Sequence, residues 1–235
     1  MNQSSASAMS KPVTAPAVPF EDPLSVIPRA LAKLHSLWVA STYPFASVGK
    51  DLRMHPTVIL SRRVAPGIKL GNSVMIRNHA WINTFDLEEA SDGVKIVIDD
   101  HCVINAQCVI SAKNRIHIER NVMLSACSLI MDHNHAYEDV TQPVQAQGLT
   151  PGGTIRIEQG SWIGHGAAIV CSQGELVIGR NSVVSANALV TKSCPPNSVV
   201  VGNPARLAKQ FDAASGSWAG GAGRPAPTEP ASSKT

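Results

Sequence analysis

Residues 98–130 read IDDHCVINAQCVISAKNRIHIERNVMLSACSLI, and the spacing within this stretch decides the fold. Aliphatic residues recur in steps of six: Ile98, Ile104 and Ile110, then Ile118, Leu124 and Ile130. In the first two hexads of each run, a small or β-branched residue stands four places after the aliphatic. These are Cys102 and Cys108, then Val122 and Ser128. An α-helix gains nothing from a period of six, because six residues turn it by about 600°. A three-sided coil does. Each side is a short strand and a turn, every sixth residue returns to the interior, and three hexads close a coil of about 18 residues.

The pattern extends in both directions. Leu70, Ile76 and Ile82 precede it, with Val74 and Ala80 in the small slots. Ile157, Ile163 and Ile169 follow, with Ser161 and Ala167, and then Ile178, Val184 and Val190, with Ser182 and Ala188. The runs begin at residues 70, 98, 118, 157 and 178, so every interval exceeds one coil and insertions must bulge from the corners. The longest excursion contains MDHNHAYEDVTQPVQAQG, residues 131–148. Stacked coils tolerate such loops because each coil touches only its neighbours, and loops on a rigid scaffold are where function concentrates. The expected fold is an all-β solenoid over residues 45–211, with an extended loop at 131–154.

The flanks read differently. Residues 1–20 and 212–235 are rich in Ser, Ala, Pro and Gly, and are expected to be disordered tails. Residues 21–44 form an expected helical segment. Leu24, Ile27, Leu31, Leu34 and Trp38 recur at steps of three and four, which suggests an apolar stripe docking on the body or on a neighbouring subunit. Arg29, Lys33 and His35 make a thin polar face for a membrane-surface helix.

Bulk properties exclude several classes. The net charge is +3 with no basic cluster, which argues against nucleic acid as a partner. No run of about 18 apolar residues is present, so no integral membrane span is expected. The five cysteines have no CxxC spacing and read as free thiols in a reducing, cytoplasmic compartment. Cys102, Cys108 and Cys194 take small-residue slots, where a thiol packs as a small hydrophobe.

Three stretches carry a resemblance to a known family: DHNHAYED at 132–139, SWIGHGAAI at 161–169, and VVSANALVTKSCPPNSVVVGNPARLAKQF at 183–211. On hexad coils, they resemble the hexapeptide-repeat acyltransferases, and within these the sugar O-acetyltransferases of the galactoside, maltose and polysaccharide-biosynthesis type. The resemblance implies a left-handed parallel β-helix, acetyl-CoA as donor, no required metal, and a homotrimer with active sites between subunits. It implies a sugar or polysaccharide-precursor hydroxyl as acceptor.

Acetyl transfer from a thioester to a hydroxyl needs a base, stabilisation of the developing oxyanion, and alignment of the two substrates. His135 and His133 are the candidate bases, and His135, directly after Asn134, is placed first. Asp132, Asn134, and Glu138 or Asp139 are candidates to fix a ring tautomer. By resemblance, Trp162 borders the active-site cleft, and Trp81 takes the same slot of its own hexad with no role assigned. Gly164 and Ala186 leave room for pantetheine, Thr191 and Lys192 contact the coenzyme, and Arg206 lies near its phosphates. Tight coil packing would also explain Gly164 and Ala186. Asn83 and Asp86 are the acceptor-binding candidates, although Arg77 and His79 stand where the family carries asparagines.

Three other readings remain. The acceptor could be an amine, on an amino sugar or a serine-type molecule. A γ-type carbonic anhydrase would need three converging histidines from among His101, His133, His135 and His165. A non-catalytic scaffold would use the same coil without chemistry.

Overall fold

The computed structural model describes residues 26–85 and 93–220. Short strands form three parallel faces, and the chain visits them in turn. The coil centred on the longest hexad stretch illustrates the path. Arg115–Ile118 lies on the first face, Met123–Leu124 on the second and Leu129–Met131 on the third, and the next strand, Gly152–Ile157, returns to the first. Within the stack, strands pair in parallel with those one coil earlier and one coil later. Leu70, Ile98, Ile118, Ile157 and Ile178 therefore stand in register in a single column.

The physical cause is the hexad. None of the fifteen aliphatics that define it, three in each of five runs, is more than 3% exposed. The small-slot residues are buried with them. Each fully buried Ile or Leu contributes on the order of 1.5–3 kcal/mol. The polar small residues are satisfied rather than stranded: the Ser128, Ser161 and Ser182 hydroxyls donate to the carbonyls of Ser125, Gly179 and Pro195.

The turns follow a rule that the hexads did not reveal. The residue before each small slot is in the left-handed region: Ser73, His79, His101, Gln107, Asn121, Cys127, Gly160, Gly166, Asn181 and Asn187. Asn and Gly suit this conformation, whereas His, Gln and Cys adopt it at a cost offset by the surrounding coils.

The helix spans Val26–Thr42, within the expected segment, but it docks by a different side. Ser36 and Val39 are buried, and the Ser36 hydroxyl accepts from the Met54 amide at 2.9 Å. Ile27, Leu31, Leu34 and Trp38, the expected docking stripe, are each more than half exposed. The Ser36 side of the helix faces its own coil, and the apolar stripe does not dock on the body of this chain. Leu24 lies outside the described residues.

The expected C-terminal tail also needs correction in part. Arg206–Asp212 pairs antiparallel with Ser198–Val201, and Ser217–Gly220 pairs antiparallel with Arg206–Asp212, extending the second face. Phe211 and Trp218 meet edge to face at 5.6 Å, and the Asp212 carboxylate accepts from the Ala214 amide in the turn. One aromatic pair and one turn residue order a stretch whose bulk composition reads as unstructured.

Candidate active site

The three faces meet at three edges. The 131–154 excursion leaves the edge between the third and first faces, here the third edge. Its base is a short ladder. Asn134 donates its amide to the Thr150 hydroxyl at 3.0 Å, and Thr150 returns its amide to the Asn134 carbonyl at 2.8 Å. His135 bridges Leu149, and Ala136 donates to Gly148. Lys113 Nζ donates to the Thr150 carbonyl at 2.7 Å and the Asn114 amide side chain donates to Pro151 at 3.1 Å, tying the loop to the preceding coil.

Asp132 and His133 sit where the third face ends and this loop begins. Asp132 is fully buried, and its oxygens accept the Lys113 amide at 2.7 Å and the Asn114 amide at 2.8 Å. The same carboxylate lies 3.0 Å from Nδ1 of His133, which is 4% exposed. Phe85 meets the His133 ring edge to face at 4.9 Å. A carboxylate held by two backbone donors fixes the ring and leaves Nε2 as the nitrogen that can exchange a proton. His135, two residues on, is exposed and receives no such support from Asp132. The signal that separates them, an acidic residue directly before His133, was present in the sequence. What could not be read there was that its carboxylate folds inward against the Lys113–Asn114 corner.

The expected donor residues fall into two groups. Thr191, Lys192 and Arg206 line one cavity of about 90 Å³, together with Cys194, Ala205 and Leu207. Thr191 and Lys192 lie on the third edge, two coils beyond His133. At one strand spacing per coil, that separation is about 10 Å along the coil axis. Gly164 and Ala186 lie on another edge, between the second and third faces. A Cβ on Gly164 would stand 2.6 Å from the Ala186 amide nitrogen, so coil packing is itself a reason for glycine there.

Trp162 is on the second face, which lies opposite the third edge within one chain. It is 44% exposed, beside the exposed Met123, and its Nε1 donates to the Ser125 hydroxyl at 2.7 Å. Trp81 shares its hexad slot but stands on the third face, so slot alone did not place the two together. Asn83 is on the third face, in register with Ser111 and through it with Met131, two coils before the loop. Asp86 lies outside the described residues. His101, His133 and His165 occupy three different edges, and among the described residues no three His, Cys, Asp or Glu side chains cluster to hold a metal ion. Among the same residues, no helix is long and apolar enough to cross a membrane.

The thiols are mostly sealed. Cys102, Cys108, Cys171 and Cys194 are buried, and burial pushes the Cys102 thiol up to about 12 and raises the other three. Cys127 alone among the cysteines is exposed.

No family model matches the chain. It is similar to the protein named "Probable acetyltransferase Rv3034c" of Mycobacterium tuberculosis, with 28% identity over 163 residues. That match covers 69% of this chain, and the chain spans about half (49%) of that relative's length. Among solved structures, a maltose O-acetyltransferase from Clostridium difficile is 25% identical with a TM-score of 0.52, covering 81% of this chain and 90% of that one. AntD, an N-acyltransferase from Bacillus cereus solved with dTDP and 3-hydroxybutyryl-CoA, is 20% identical with a TM-score of 0.58, covering 74% and 86%; that likeness is one of fold.

Proposed function

We propose that the chain is an acetyl-CoA-dependent O-acetyltransferase acting on a sugar or polysaccharide-precursor hydroxyl, built on a left-handed coil over residues 45–211. One observation carries the reading. The Asp132–His133 pair stands on the same edge as the cavity of Thr191, Lys192 and Arg206. A base and a cationic pocket two coils apart suit a donor that is anionic at one end and reactive at the other.

In this reading His133 Nε2 takes the acceptor's hydroxyl proton as the oxygen attacks the thioester carbonyl carbon. The carbon–sulfur bond then breaks, and the imidazolium returns the proton to the departing thiolate. Lys192 and Arg206 hold phosphate groups. A cavity of about 90 Å³ takes only part of a coenzyme A molecule, so the remainder runs along exposed coil surface.

The residues expected at the donor divide between two edges, and Trp162 stands opposite the loop. In one chain they do not converge; a homotrimer would set one copy's second face and Gly164 edge against the next copy's third edge. Exposed Met123 and Trp162, adjacent on the second face, are consistent with such an interface.

The test is acetyl-CoA consumption, followed with a thiol-trapping dye, against free sugars, nucleotide sugars, polysaccharide fragments and amino-sugar acceptors. Turnover with a hydroxyl acceptor, and a raised KM for acetyl-CoA in Lys192→Ala and Arg206→Ala, is the expected result. Preference for an amine would move the assignment to N-acetyl transfer, and no consumption with any acceptor would remove it.

A further inference from the structure

Lys95 is the largest fully buried side chain among the described residues, at 1% exposure, and nothing in the proposed chemistry yet uses it. It precedes the strand Ile96–Ile98 at the start of the coil whose last residues are Lys113 and Asn114. Burial of an amine is costly unless it is held by acceptors. Among the described residues its acceptor is a backbone group: Nζ donates to the Lys113 carbonyl at 2.6 Å.

That carbonyl belongs to the peptide unit whose N–H is the Asn114 amide. The Asn114 amide donates to Oδ2 of Asp132 at 2.8 Å, and Oδ1 of Asp132 faces Nδ1 of His133 at 3.0 Å. One peptide plane thus links Lys95 to Asp132. A cation on the carbonyl side polarises the peptide and strengthens the hydrogen bond that its N–H donates on the other side, as in any hydrogen-bonded chain in a low-dielectric setting. The carboxylate then gives up electron density to the amide and has less to offer the imidazole.

We infer that Lys95 is a positioning residue for the His133 base, acting through the Lys113–Asn114 peptide on Asp132. It touches neither substrate nor the reacting atoms. Its cation fixes how firmly the corner grips Asp132 and how strongly Asp132 favours a protonated ring. Among the described residues, the charged or titratable groups near the pair besides Lys95 include Lys113, whose Nζ is turned to the Thr150 carbonyl, Arg115, whose guanidinium donates to the Val94 carbonyl, the exposed His135 two residues on, and Cys171 on the following coil, whose thiol burial pushes up. In the pH comparison of the two Lys95 variants, none of these is replaced.

The inference rests on the proposed role of His133, and the experiment separates the two. Turnover is measured against pH for the full-length chain, Lys95→Gln, Lys95→Arg and His133→Ala. Lys95→Gln keeps a donor for the Lys113 carbonyl but removes the charge. Its acid limb of kcat/KM is expected to move to higher pH by about half to one unit, because loss of a nearby cation favours the protonated ring. Its KM for acetyl-CoA is expected to stay within about twofold. Lys95→Arg keeps the charge and is expected to leave the limb in place.

An unmoved limb in Lys95→Gln, with His133→Ala inactive, overturns the inference and leaves the base assignment standing. Full activity in His133→Ala overturns both. Should Lys95→Gln fail to fold, Lys95→Arg decides: a limb displaced by half a unit or more contradicts a role that depends on charge alone.

Discussion

The Asp132 carboxylate lies 3.0 Å from Nδ1 of His133 while the Lys113 and Asn114 amides occupy its two oxygens, one each. A buried carboxylate so placed holds a backbone corner and orients an imidazole at once. Replacing it should therefore cost both stability and rate.

Asp132→Asn places an amide NH₂ against one of the two backbone donors. The lost acceptor is expected to cost about 1–3 kcal/mol. Without the carboxylate to orient the ring, kcat should fall by about tenfold to a hundredfold with KM for the donor little changed. Thermal denaturation and steady-state kinetics on the same preparation check both.

Gly164 offers a way to separate packing from coenzyme binding. A methyl group there meets the Ala186 amide nitrogen at 2.6 Å and the Val184 carbonyl oxygen at 2.7 Å, both backbone atoms of the next coil. Gly164→Ala is expected to destabilise the fold by about 1–3 kcal/mol. If packing is its whole role, the folded fraction keeps its KM for acetyl-CoA. A KM raised tenfold at unchanged stability would instead place the coenzyme against Gly164.

Thiol chemistry has a clear sign. Burial raises the folded-state values of Cys102, Cys108, Cys171 and Cys194, with Cys102 at about 12, so these groups stay as unreactive thiols at pH 8. A disulfide reagent at pH 8 is expected to titrate one thiol per native chain, Cys127, and all five after unfolding in denaturant. Rapid reaction of two or more in the native protein would mean that the coil opens readily.

The coil itself was legible because its cause is periodic. A residue such as Ile118 recurs in every coil and is buried for the same reason each time, and the register from Leu70 to Ile178 follows from that repetition. The left-handed turns were hidden because His79, His101, Gln107 and Cys127 hold positions where Asn or Gly would have signalled them. The side that the helix turns to its own coil was hidden because it carries a polar residue, Ser36, which accepts from the Met54 amide. At the site, the loop and its two histidines were legible, but the choice between them was not. In the proposed reading that choice rests on Asp132 turning inward against the Lys113–Asn114 corner, which residue spacing does not show.

Ile118→Ala tests the column directly. Removing a fully buried side chain at the middle of the stack is expected to cost about 2–5 kcal/mol, seen as a lower denaturant midpoint with an unchanged slope.

The most direct test of the account is the turnover of His133→Ala beside His135→Ala, at saturating acetyl-CoA with the best acceptor found. His133→Ala is expected to lose at least about a hundredfold in kcat, the lower end of what a general base contributes, and His135→Ala less than about tenfold. The reverse order, or full activity in both variants, would contradict it.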